Sequence, residues 1–195
     1  MSVLSVAESL ISDSYHYEDP FSEWKLKSAI HRLMLANDPN FEREIIYLCI
    51  GTDRATGDSL GPLVGTRLQL LSPAWQIFGT LEKPSHAVNL DEVWKNITCH
   101  YDNPLVIAVD ASLGKIDRIG YISVKADSLH PGTALNKSLP VVGDFHVSAV
   151  VNQGGYSAPL MLQNTRLYVV YRMAETIARS LYLARLDYEA DKNRL

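Results

Sequence analysis

Two aspartates, each placed just after a short apolar run, are the residues of this sequence best suited to chemistry. Asp58 lies in Gly51-Thr52-Asp53-Arg54-Ala55-Thr56-Gly57-Asp58-Ser59-Leu60-Gly61-Pro62, which follows Ile45-Ile46-Tyr47-Leu48-Cys49-Ile50. Asp110 follows Leu105-Val106-Ile107-Ala108-Val109 and precedes Ala111-Ser112-Leu113-Gly114. Where two such carboxylates converge, both cannot ionise cheaply, so one holds its proton to higher pH. The titration then belongs to the pair, whose ionised member activates water while the protonated member donates to an amide. Each aspartate also has a structural reading. Asp58 precedes a helix start and fits an N-cap, and Asp110 fits a residue that ties down the turn after its strand.

The remaining polar motifs are weaker. The loop after Ile50 looks like a phosphate cradle, but Gly51 and Gly57 stand one residue too far apart and Asp58 occupies the lysine position, where its charge repels phosphate. His146, one of six histidines, lies near Asp144 and joins Asp58 and Asp110 as a weak candidate set for a divalent metal. No closely spaced ligand pair supports that set, so no cofactor is expected. Asn136-Lys137, after Pro131-Gly132, offers an amide and a cation to a substrate path, to which Asp144 is also assigned. The alternative for that loop is a solvated turn. Leu162-Gln163-Asn164-Thr165-Arg166 brings an amide and a guanidinium to a helix start, or simply caps it through Asn164 or Thr165. Cys49 sits in an apolar run and reads as a buried hydrophobe, and Cys99-His100 lacks a partner pair.

These residues need a scaffold. The nearly continuous apolar runs 45–50 and 105–109 read as strands buried on both faces. Residues 75–79 and 120–124 give two further strands, the latter joined to 105–109 by a hairpin around Gly114-Lys115, and 147–151 fits a strand or a buried helix. Ser22 N-caps a helix that ends near Asn37, before Asp38-Pro39. Helices are also expected from Leu60 to Leu71, from Asn89 to Trp94 and, as a long amphipathic element, over 162–186. Residues 1–22 read as an arm that packs on the domain or stays mobile, and 187–195 as a frayed charged tail, on a single domain spanning 1–195. Alternating strands and helices argue for a parallel or mixed sheet with helices on both faces, and on such sheets ligands bind beyond the carboxyl ends of the strands.

Composition narrows the function classes. The chain has 195 residues, 47% hydrophobic and 21% charged, with a net charge of −4, which is ordinary for a globular domain. No stripe of Lys and Arg marks a nucleic-acid surface, and no apolar run approaches the ~20 residues of a membrane span. Two isolated cysteines and no basic leader fit the cytoplasm. The apolar residues of the terminal helices serve a homo-oligomer interface as readily as a core.

The segments 49–62, 108–114 and 162–167 resemble the YyaC family of sporulation proteins of endospore-forming Firmicutes. That family is related to the spore germination protease and, more distantly, to the hydrogenase maturation endopeptidases. The resemblance implies a three-layer α/β/α sandwich of the phosphorylase/hydrolase-like type. It places the protease's two essential aspartates on Asp58, in Thr56-Gly57-Asp58-Ser59-Leu60-Gly61-Pro62, and on Asp110, in Val109-Asp110-Ala111. A Pro-Gly loop ending in Asn-Lys matches Pro131-Gly132 and Asn136-Lys137. In the maturation endopeptidases the corresponding carboxylates and a later histidine read a nickel centre, and His146 lies in roughly that region. The expectation is a peptidase of the sporulating cell or spore acting on a protein or peptide, small acid-soluble spore proteins among the candidates. The rival is a non-catalytic regulatory protein that keeps the same pocket for a peptide or ligand.

Overall fold

Strand β2 (Ile45–Cys49) is buried at every position, and β4 (Leu105–Gly114) is buried over its first five residues. These runs have no polar face to offer water, so they form the centre of the sheet. The computed structural model describes residues 13–132, 139–155 and 157–194. In chain order the elements are β1 (Asp13–His16), α1 (Ser22–Asn37), β2, α2 (Leu60–Leu71), β3 (Gln76–Phe78), α3 (Leu90–His100), β4, β5 (Tyr121–Lys125), β6 (Phe145–Gln153), α4 (Ala158–Gln163) and α5 (Leu167–Lys192). The strands form one sheet in the order β1-β5-β6-β4-β2-β3. β3, β2, β4 and β6 run parallel, while β5 is antiparallel to β6 and β1 to β5.

Alternate residues of the strands feed two apolar clusters. Tyr47, Ile107, Val109, Phe145, Val147 and Ile122 pack with residues of α1, α2 and α5. Ile46, Leu48, Val106 and Ala108 face the other way, toward Leu90 and Ile97 of α3 and toward Leu129 and Val142. The result is a mixed α/β sheet between helical layers, thick on one side and thin on the other.

Several elements differ from expectation. β4 does not stop at Asp110, because β6 continues the pairing from Asp110↔Ser148 to Gly114↔Gln153. β5 is not the hairpin partner of β4; β6 lies between them. The segment at 147–151 resolves as strand β6. Within the expected arm, Asp13–His16 packs on the domain as an edge strand, with Tyr15 against the main core. Ser22 is not the N-cap of α1: Phe21 takes that place without a side-chain cap, while the Asp19 carboxylate accepts the Phe21 amide at 2.9 Å.

The long C-terminal helix is two. Asn164 and Thr165 donate back to the carbonyls of Leu160 and Met161, at 2.9 and 2.7 Å. Asn152 reaches the same Met161 carbonyl at 2.9 Å, so side chains take up the carbonyls that close α4. The charged tail also does not fray at residue 187. Tyr188 is buried, Lys27 pairs with Asp187, His31 meets Asp191 at 2.9 Å, and Lys192 donates to the Phe41 carbonyl at 2.8 Å. Among the described residues no helix is long and apolar enough to cross a membrane.

Candidate functional site

The loop after β2 is shaped by glycines. Gly51 has φ +140°, and a Cβ there would lie 2.0 Å from the Asp58 carbonyl oxygen. That closeness lets the loop fold back, with the Thr52 amide donating to the Asp58 carbonyl at 3.1 Å. Gly61 presses α2 onto the end of the strand: a Cβ would stand 2.1 Å from the Ile50 carbonyl oxygen. The turn carrying Asp58 is therefore clamped against the carboxyl end of β2, and replacing either glycine would push it away.

Asp110 comes from the neighbouring strand. Cys49 pairs with Val109, where β2 ends, and the Ile50 amide donates to the Val109 carbonyl at 2.7 Å. Asp110 thus stands one residue past the end of β2, beside the folded loop. Both aspartates line one cleft of about 320 Å³, together with His146, Ser148, Lys125 and His130. The segment above it is pinned by reciprocal bonds between Leu129 and Val142, at 2.8 and 3.0 Å.

Neither aspartate has its structural role. No side-chain hydrogen bond caps α2 or the Gly57–Ser59 turn before it, so Asp58 is not an N-cap. Asp110 lies within β4 and closes no turn. Burial pushes the Asp58 carboxyl above its ordinary value, with the Thr52 amide and the charge of His86 pulling back in part. Burial, and after it the charge of Asp58, push Asp110 well above the ordinary carboxylate value, against a pull from the Ala111 amide. Each is half-buried at the cleft, and Asp110 feels the Asp58 charge. A like charge nearby disfavours ionisation of the second carboxyl.

His146 is 4% exposed, and its Nδ1 lies 2.8 Å from the Asp127 carbonyl oxygen. A carbonyl only accepts, so Nδ1 carries the proton and Nε2 keeps its lone pair. Burial lowers the imidazole pKa, with the Asp127 carbonyl and carboxylate opposing, so the ring is neutral. Among the described residues, however, no group of three or more His, Cys, Asp or Glu side chains is placed to hold a metal ion. The set Asp58, Asp110 and His146 is not drawn together as ligands: His146 is fixed by Asp127, over β6.

Asp144 is a correction. Its carboxylate accepts from Arg43 at 2.7 Å and from the Val106 amide at 2.8 Å, at the amino ends of β4 and β6. It ties the sheet together there and does not line the cleft. Asn136 and Lys137 lie outside the described residues.

The structure also brings in residues that the sequence reading passed over. His86 is near enough for its charge to act on Asp58, because Ser85 extends the sheet beside Ile50 and accepts the Gly51 amide at 2.8 Å; nothing in Lys83-Pro84-Ser85-His86 signals this. Lys125 was more legible, since Tyr121, Ser123 and Lys125 alternate with buried Ile122 and Val124 and so declare a strand with one polar face.

The chain is similar to several known proteins. It is 45% identical over 142 residues to the uncharacterized protein YyaC of Bacillus subtilis (strain 168), covering 72% of this chain and 69% of that protein. A short match, 29% over 65 residues, covers 33% of this chain and 7% of the VPS35 endosomal protein-sorting factor-like protein of Rattus norvegicus. Among solved structures, the [NiFe] hydrogenase maturation protease HycI of Thermococcus kodakarensis KOD1 is similar at a TM-score of 0.44, with 20% identity, 80% of this chain and 97% of that chain covered. The family model described as "Protein of unknown function (DUF1256)" matches residues 14–180, and the chain belongs to that family.

Proposed function

We propose that the protein is a peptidase-type hydrolase of spore-forming cells, acting through Asp58 and Asp110. The observation that carries this reading is the pair of half-buried carboxyl groups in one cleft, without a side-chain partner among the described residues and both raised in pKa. The motif resemblance of 56–62 and 109–111 to the germination protease supports peptide hydrolysis, and small acid-soluble spore proteins are the substrates to try first.

In this mechanism Asp58 is the base, since the Thr52 amide and His86 favour its ionised form, and Asp110 enters protonated. Water held between them gives a proton to Asp58 as its oxygen attacks the carbonyl carbon of the peptide. Asp110 donates to the carbonyl oxygen, which forms a tetrahedral diol. On collapse the C–N bond breaks, Asp58 passes its proton to the leaving amine, and Asp110 recovers the proton from the diol.

The test is incubation of the purified chain with small acid-soluble spore proteins and a peptide library across pH 4–8, with and without added divalent metal. Cleavage by the wild type, lost in Asp58→Asn and in Asp110→Asn, is the expected result. Absence of cleavage throughout contradicts the reading. Stable peptide binding without turnover favours instead a non-catalytic regulatory protein that uses the same pocket.

A further inference from the structure

The face of the sheet that carries Asp110 changes character along its width. Under α3 it is apolar, through Ile46, Leu48, Val106 and Ala108. From Asp110 outward the same face is polar. Strand register sets Asp110 beside Ser148, Ser148 beside Ser123, and Ser123 beside Ser14. A parallel row sets His146 beside Lys125. The shared face is confirmed by the bond from Ser123 Oγ to Ser14 Oγ at 3.1 Å. At the far end Arg118 donates to Ser14 Oγ at 2.7 Å and stacks 3.9 Å over the Tyr121 ring.

Ser148 lies at the inner end of this row. It is 9% exposed and lines the cleft, yet its hydroxyl makes no hydrogen bond among the described residues. Here it faces the space that a bound chain would fill, next to Asp110.

We propose that the substrate is an extended peptide laid across β6, β5 and β1, with acidic side chains received by Lys125 and Arg118. This rests on the hydrolase reading of the aspartates, which it sharpens to a substrate class. Three strand spacings of roughly 4.8 Å put Ser14 about 14 Å from Asp110, a distance that four or so extended residues cover. The track is continuous with the cleft, and serines keep it low enough for a backbone to lie on. Its basic groups, Lys125 and Arg118, form no ion pair among the described residues. Asp127 and Glu18 stand at the rim, Asp127 beside His146 and Glu18 beside His16. An acidic peptide therefore meets the two basic groups Lys125 and Arg118 beyond the acidic end of the track, where Asp58, Asp110 and Asp127 line the cleft.

The experiment uses the full chain carrying Asp110→Asn, so that binding is read apart from turnover. Fluorescein-labelled decapeptides are compared by anisotropy, with Glu, Gln or Lys placed at one position at a time. The expected result is a preference for Glu of about tenfold in Kd at positions a few residues from one another, reduced to near unity when Lys125→Gln and Arg118→Gln are added. Equal binding of the three series, no binding by any of them, or a Glu preference that survives both added substitutions overturns the proposal. Cleavage by the wild type without acidic selectivity removes the track and leaves the hydrolase reading intact. Acid-selective binding without cleavage does the reverse.

Discussion

At the amino ends of the strands, Asp38 and Asp144 are fully engaged. Asp38 accepts from the Tyr188 hydroxyl at 2.5 Å and from the amides of Glu42 and Arg43 at 3.0 and 2.9 Å. Asp144 holds the Arg43 guanidinium and the Val106 amide, while Arg43 also donates to the carbonyls of Asn37, Asn103 and Pro104. At the carboxyl ends, Asp58 and Asp110 have no side-chain donor among the described residues and are helped only by the Thr52 and Ala111 amides. Burial pushes Asp38 up, but the Tyr188 hydroxyl, the two amides and the Arg43 charge outweigh it and its pKa falls. At Asp58 and Asp110 burial prevails and the pKa rises. The same residue type is thus lowered in pKa at one end of the sheet and raised at the other, by the balance of burial against hydrogen bonds and neighbouring charge. A carboxylate left poor in donors costs stability, which is how a reactive site differs from a brace.

Substitutions at the two ends should separate these roles. The largest effect is expected in catalysis: Asp58→Asn or Asp110→Asn should lower kcat for peptide cleavage by about 10²–10⁴, with the double variant little worse than either, since the two act as a unit. Asp144→Asn should leave kcat within about threefold, a change far smaller than those at the pair. A comparable loss at Asp144 breaks the distinction. Arg43→Ala should cost about 3 kcal/mol in denaturant unfolding, because it strands the Asp144 carboxylate and three carbonyls.

Smaller effects carry the pH signature. Tyr188→Phe should cost roughly 1.5–2 kcal/mol near neutrality. Asp38 has a folded pKa below its ordinary 3.8, so its contribution is present above that value and is lost as pH falls through the folded pKa. The cost of Tyr188→Phe should therefore shrink on acidification, as thermal unfolding at pH 7 and pH 2.5 will show. Asp110 has the opposite sign. Its folded pKa is raised, so its favourable contribution is present below the unfolded value and lost as pH rises through the folded one. Asp110→Asn should then raise Tm at neutral pH, by roughly 2–4 °C for each kcal/mol of relief, and give no gain near pH 3.

Local signals were legible in the sequence, and long-range ones were not. The strands 45–50 and 105–109, the first helix and the pair Asp58 and Asp110 all rest on short apolar runs, Pro and Gly punctuation, and the position of an acid after a strand. The place of β5 was hidden because the strand inserted between it and β4 comes later in the chain, and no local spacing reports that. Asp144 was misread as a binding residue because its partner, Arg43, is 101 residues away. His86 is brought near Asp58 by a sheet extension at Ser85, which a polar loop does not announce.

The central claim is that Asp58 and Asp110 are coupled and short of donors. Carboxyl ¹³C titration of aspartate-labelled protein, repeated in Asp58→Asn, measures this directly. The account expects Asp110 to titrate well above its ordinary 3.8 in the wild type and to drop when the Asp58 charge is removed. Two carboxyls that titrate independently at or below the ordinary value, with Asp110 unmoved by the substitution, would contradict it.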